Sequence, residues 1–362
     1  VSDLCAGLVG GLGVVTAYTI AITYAVVVGW VLWYLAKALS GGFSGFDAAT
    51  AELTFSGLLA NNQAMVLWTV IGNLIVGSII YAGVTAGIER AVTIMMPLMF
   101  SLLVGLSIYN YFAGGFLETL EWLFTPDFSK VSGATFLAAV GQAFFSIGVG
   151  MGGMMTYGAY LPRDFSIARG AGTIVLADTL IALLAGFVVF PAVFHFGLDM
   201  ASGPGLIFQT LPVAFSQMPG GAVFSVLFFT MLAVAGVTSM VGLLESVTSW
   251  TKERLNTSRE RSTILVVGSV TLLSVISVLS YNVWEEYRLL GMNFNEFTEA
   301  LYDKLFLPMA GLLVALFTGW DMHRDFSAEE LRDDVRWFGL WRILTRFVVV
   351  PAVALILVTG LV

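Results

Sequence analysis

The sequence predicts an all-α polytopic membrane protein, and three observations carry that prediction. Of the 362 residues, 58% are hydrophobic and only 11% are charged, whereas soluble domains run near about a quarter charged. Apolar runs of roughly 20 residues, long enough to cross a bilayer, recur along the whole chain. The basic residues are also shared unevenly between alternate loops.

Apolar runs bounded by charges and turn residues predict nine membrane helices, over 6–38, 64–86, 90–113, 133–160, 170–196, 222–251, 262–281, 298–320 and 341–362. The first run has neither a basic n-region nor an Ala-x-Ala cleavage site, so it does not read as a signal peptide. With Val1 in the cytoplasm, the outer loops hold only Lys37, Lys130, Arg288 and Lys304 of the 16 basic residues. The others, among them Arg90, Arg163, Arg169, Arg324 and Arg332, fall on inner loops. This asymmetry places the amino terminus inside and the carboxyl terminus outside. Segment 199–221, punctuated by Gly203-Pro204-Gly205 and Met218-Pro219-Gly220-Gly221, predicts a structured outer loop with a short helix.

Several function classes are excluded. Cys5 stands alone, so no internal disulfide forms, and His195 and His323 are too far apart in sequence to suggest a metal centre. There is no basic nucleic-acid patch. No nucleophile, base and orienting group converge, which argues against an enzyme.

The fourth run contains "SIGVGMGGMMTYG", in which Gly148, Gly150 and Gly153 spell G-x-G-x-x-G. A dinucleotide fingerprint must follow a strand and open a helix, and here the glycines lie inside a membrane span. Four glycines in six residues, each costing about 1 kcal/mol relative to Ala, predict that the helix breaks there. Freed backbone cannot face lipid and must be buried or line a cavity, where it can bind ions and a charged ligand. Asp178, in "LADTLIALLAG", is a carboxylate at membrane depth and is expensive without a compensating cation. Thr238 and Ser239 are adjacent mid-helix hydroxyls, which alone could simply bond the preceding turn. Tyr24 lies well inside its run, and its hydroxyl needs a partner.

The runs "GQAFFSIGVGMGGMMTYGAYL", "LADTLIALLAGFVVFPAVF", "GPGLIFQTLPVAFSQMPGG" and "FFTMLAVAGVTSMVGLLE" closely resemble the bacterial branch of the neurotransmitter:sodium symporter family. The resemblance covers essentially the whole chain. It implies a leucine-transporter-like inverted-repeat helix bundle whose nine helices are equivalent to family helices three to eleven. Residues 1–113 would be the remainder of the first repeat, 133–320 the second repeat with its broken helix at 146–153, and 341–362 a trailing helix, all in one transmembrane domain.

By position, the resemblance puts Ile20, Tyr24, Phe145, Gly148, Met151, Ser239 and Leu243 around the substrate, with the Tyr24 hydroxyl on its carboxylate. It puts Ser146 and Asp178 at a first sodium site, and Ala235 (through its carbonyl), Thr238 and Ser239 at a second. Asp178 replaces an Asn of chloride-dependent members, which implies fixed negative charge and no chloride requirement. Glu299 falls at an outer gate, where relatives usually carry Asp, with Glu296 and Asp303 nearby. The family's first two helices have no counterpart in this chain, and they include the other broken helix and the gate arginine.

The expected function is therefore sodium-coupled symport of an amino acid, hydrophobic or aromatic because the pocket is apolar, across the cytoplasmic membrane by alternating access. The partners expected are the amino acid, sodium ions and the bilayer. The competing expectation is a truncated, non-transporting membrane protein, or a subunit whose partner supplies the missing helices.

Overall fold

The computed structural model describes residues 2–162, 165–198, 203–322 and 335–361. Arg163, the start of the 199–221 loop, His323, Arg324 and Arg332 lie outside the described residues. Helix α1 (Ser2–Leu39) is the longest element, and it is apolar all round, as a helix enclosed by other helices must be. It packs against α3 (Asn62–Tyr81), α10 (Gly221–Leu255) and α11 (Arg259–Leu279). Close approach is possible because glycines sit at the crossings. A Cβ on Gly29 would stand 2.8 Å from the Thr69 backbone nitrogen, and one on Gly236 would stand 3.2 Å from Val28.

The remaining elements follow in order. Helix α2 (Ala48–Ala60) is capped by Asp47, whose carboxylate accepts from the Thr50 N–H. Helix α4 (Arg90–Ala113) is entered through a π-helical turn over Val84–Glu89. The short helix α5 (Phe116–Phe124) leads to α6 (Gly133–Ile147), which begins in a capping box at Ser132 and Thr135. Helix α7 (Gly153–Gly158) follows across a break, and α8 (Ile167–His195) crosses the whole molecule. The outer loop folds into a π turn and α9 (Leu211–Gln217), the short helix that the sequence predicts there. Helices α12 (Phe294–Leu301) and α13 (Leu307–Leu316) join through a π turn into one span, as do α14 (Val335–Leu344) and α15 (Val350–Leu361).

Among the described residues, eight helices are long and apolar enough to cross a membrane; the ninth expected span is the α6–α7 pair. Most span ends differ from expectation by a few residues, and one difference has a structural cause. The run 64–86 ends at Tyr81, because Gly83 takes φ +98° and turns the chain, so Arg90 lies within a helical run and not in a loop.

Two sets of contacts hold the scaffold. At one end of α1, Trp30 meets Phe55, Phe208 and Tyr281 edge-on at 5.5–5.8 Å, and the buried Tyr34 hydroxyl donates to the Phe208 carbonyl at 2.8 Å. These contacts pin the segment before α9 to α1. At the opposite end of the bundle, Glu245 of α10 is wholly buried and pairs with Arg259 at 2.6 Å, while the Arg259 Nε donates to the Ile80 carbonyl at 2.9 Å. One guanidinium thus joins α3, α10 and α11.

Removing one partner of a buried pair strands the other charge, at a cost of about 3–5 kcal/mol. Glu245→Ala or Arg259→Ala is therefore expected to lower the unfolding temperature in detergent sharply. The double variant Glu245→Met/Arg259→Met is expected to lose much less.

Candidate functional site

The break between α6 and α7 organises the site. Gly148, Gly150 and Gly152 have φ of +77°, +92° and +74°, a region that L side chains enter only under strain. The glycine run therefore stops α6 and restarts α7 after a short non-helical stretch. Its walls are close. A Cβ on Gly152 would lie 3.2 Å from the Gly13 backbone of α1, and one on Gly150 would lie 3.1 Å from the Leu307 carbonyl and the Gly311 nitrogen of the α12–α13 span. The Phe144 ring covers Gly311 so tightly that a Cβ there would fall 1.6 Å from it. The unwound backbone is thus wedged between two helices, the condition for irregular chain at membrane depth.

The candidate polar residues fall into three groups. The Ser146 hydroxyl, at the end of α6, donates to Asp178 Oδ1 of α8 at 2.7 Å. These two residues are far apart in sequence, and the fold brings them together. On α10, the Thr238 hydroxyl donates back to the carbonyls of Val234 and Ala235 at 2.9 and 3.0 Å. This is the local bonding that a mid-helix Thr makes unaided, and it also gathers the Thr238 and Ala235 oxygens at one point. Tyr24 of α1 is half-buried and packs against the hydrophobic core, and Ser239 lies on α10, the helix α1 crosses.

The apolar residues divide. Ile20 and Leu243 are buried, at 3% and 9% exposure, and Met151 packs against the core, whereas Phe145 is 39% exposed. Gly148 is open except for the Met151 sulfur, 3.8 Å from where its Cβ would be. Glu299 shares with Phe145 the wall of a cavity of about 970 Å³, and its Oε1 accepts from Asn295 Nδ2 at 3.0 Å.

Sequence reasoning did not single out Asn295, which is held by Ser277 of α11 and by Ser280 just after it, or the Thr23–Tyr302 bond at 3.4 Å. Nor did it single out the inner cluster in which the Tyr160 hydroxyl donates to Glu245 at 3.1 Å. Glu245 was detectable by the reasoning applied to Asp178, as a carboxylate within an apolar span.

A membrane helix broken by glycines, with one open end beside a hydroxyl bonded to a carboxylate, is the arrangement of a secondary transporter. The family model described as the sodium:neurotransmitter symporter family matches residues 50–359, and the chain belongs to that family. It is 30% identical to the uncharacterized sodium-dependent transporter YhdH of Bacillus subtilis, over 96% of this chain and 78% of that protein. It is also 30% identical to an uncharacterized sodium-dependent transporter of Haemophilus influenzae, over 98% of this chain and 79% of that one. Among solved structures, that of MhsT in complex with L-phenylalanine matches with a TM-score of 0.88 and 33% identity, over 98% of this chain and 81% of that chain. The fold is accordingly the leucine-transporter-like bundle expected, and the protein is a sodium-dependent multi-pass membrane transporter, not an enzyme.

Gly150→Ala is expected to abolish transport, because its Cβ would press on the backbone of the α12–α13 span in a strained φ region. Uptake by the variant, normalised to surface expression, checks this.

Proposed function

We propose that the transport reaction is symport of sodium with a hydrophobic or aromatic amino acid across the cell membrane, by alternating access and without chloride. The observation that carries this reading is the Ser146–Asp178 pair at 2.7 Å beside the unwound backbone. Two adjacent hard oxygens, one of them anionic, suit an alkali cation, and the cation in turn compensates a carboxylate at membrane depth. Ser146 and Asp178 would hold one sodium ion. The Ala235 carbonyl with the Thr238 and Ser239 hydroxyls would hold a second.

The amino acid would lie between Ile20, Phe145, Met151 and Leu243, with its carboxylate on Tyr24, and with Ser239 and the space over Gly148 completing the pocket. The similarity to MhsT, solved with L-phenylalanine, supports an apolar substrate, and Met151 supplies a side chain that adapts to differing apolar shapes. Coupling is reciprocal: if sodium tightens substrate binding, substrate tightens sodium binding by the same factor. Residues 133–320 would form the second repeat and 1–113 the rest of the first, with the bundle rocking around the site, Glu299 at the outer gate and the amino-terminal residue on the cytoplasmic side.

Two outcomes follow. Asp178→Ala in the intact transporter should reduce sodium-driven uptake to background with unchanged expression, and retained uptake overturns the assignment of this residue. Replacing chloride by gluconate should leave the uptake rate unaltered, because Asp178 supplies a fixed negative charge; a strict chloride requirement contradicts that role.

A further inference from the structure

Helix α8 is held in two unlike ways along its length. Its inner half, which carries Asp178, exposes Ile174, Val175, Leu176 and Leu180, and the Ser146 hydroxyl reaches it there. Its outer half is gripped. Phe187 stacks on Phe116 of α5 at 4.9 Å, and Phe190 lies 4.7 Å from Trp122. The Gly114–Gly115 turn is pressed against it, since a Cβ on Gly115 would fall 2.1 Å from the Pro191 carbonyl.

Pro191 lies within that gripped half. Having no N–H, it leaves the Phe187 carbonyl, four residues earlier, without its helical donor. The structure supplies a replacement from another helix. Asn110 of α4, only 1% exposed, donates its Nδ2 to the Phe187 carbonyl at 3.0 Å and to the Val188 carbonyl at 2.7 Å. One turn earlier on the same face of α4, the Ser107 hydroxyl reaches the Leu184 carbonyl at 3.3 Å. A neighbouring residue, Tyr109, donates its hydroxyl to the Pro219 carbonyl and ties α4 to the turn before α10.

We propose that Asn110 is a positioning residue for sodium binding: by closing the ladder of α8 across Pro191 it fixes the outer half of that helix to α4. The inner half then projects as a rigid lever that sets Asp178 against Ser146. Asp178 lies 13 residues from Pro191 in the sequence, about 20 Å along a helix, and no part of Asn110 reaches the sodium or substrate groups. The inference rests on the reading of Asp178 as a sodium ligand.

The test uses Asn110→Leu, which keeps the volume and removes the donor, alone and with Pro191→Ala, which restores an N–H for the Phe187 carbonyl. Binding of ²²Na⁺ and of substrate at saturating sodium is measured on the purified transporter. Asn110→Leu is expected to weaken sodium binding about three- to tenfold, the scale of one lost buried hydrogen bond, with substrate affinity at saturating sodium within about twofold of the parent. In the Pro191→Ala background the same substitution is expected to change sodium affinity by less than about twofold.

Unaltered sodium affinity in Asn110→Leu overturns the proposal, and so does an equal loss in both backgrounds, which marks a general packing defect. If Asn110→Leu does not accumulate, the comparison within the Pro191→Ala background decides alone, and a loss of sodium affinity there is the overturning result. Asp178→Ala separates the two readings. Sodium binding that survives it removes the sodium site itself, whereas binding lost there but intact in Asn110→Leu removes only the role of Asn110.

Discussion

Inside a bilayer every backbone N–H and C=O must find a partner within the protein, and the break at Gly148–Gly152 is where this chain meets that demand most severely. Three positive φ values end one helix and begin the next, which opens two helix ends at membrane depth. Those ends need enclosure on one side and polar company on the other. Gly13 of α1 and Gly311 of the α12–α13 span give the enclosure by letting backbone approach backbone, and Ser146 bonded to Asp178 gives the polar company. The same five-residue interruption thus fixes the packing partners of α6 and the place of the site.

Rigid surroundings make such an interruption tolerable. Helix α1 is buried along most of its length, and α3, α10 and α11 close around it. One end of it is locked by the Trp30 and Tyr34 aromatic cluster, and the opposite ends of its neighbours by the Glu245–Arg259 pair. Against that frame the α6–α7 pair and the inner half of α8 are lightly held. A transporter needs this division, because a site that opens to alternate sides requires a part that stays and a part that moves.

Proline and asparagine show the same economy on a smaller scale. Pro191 removes a donor from α8, and the compensating donor comes from α4, so a local defect in one helix becomes a joint between two. Buried polar side chains elsewhere act alike: Asn295 links α11 to Glu299, and Asn73 bonds Thr271 across α3 and α11. In a low-dielectric interior such bonds specify which helices meet, while apolar contact alone leaves the register loose.

The sequence by itself determined the membrane class, the spans, the break and the presence of costly polar groups at depth. These follow from local quantities: apolar run length, the glycine count in one turn, and a carboxylate where water is absent. The resemblance also placed Ser146 and Asp178 at one site, but most pairings were not legible. That the Tyr34 hydroxyl would reach the Phe208 carbonyl, that Arg259 would pair with Glu245, and that Asn110 would serve the carbonyl freed by Pro191 depends on how helices far apart in the chain cross. The turn at Gly83 escaped notice for a related reason, since a glycine inside an apolar run reads equally as packing or as punctuation until its φ is known. Only the tertiary structure decided these points, because helix crossings are set by side-chain shape summed over whole interfaces, which no single stretch of sequence contains.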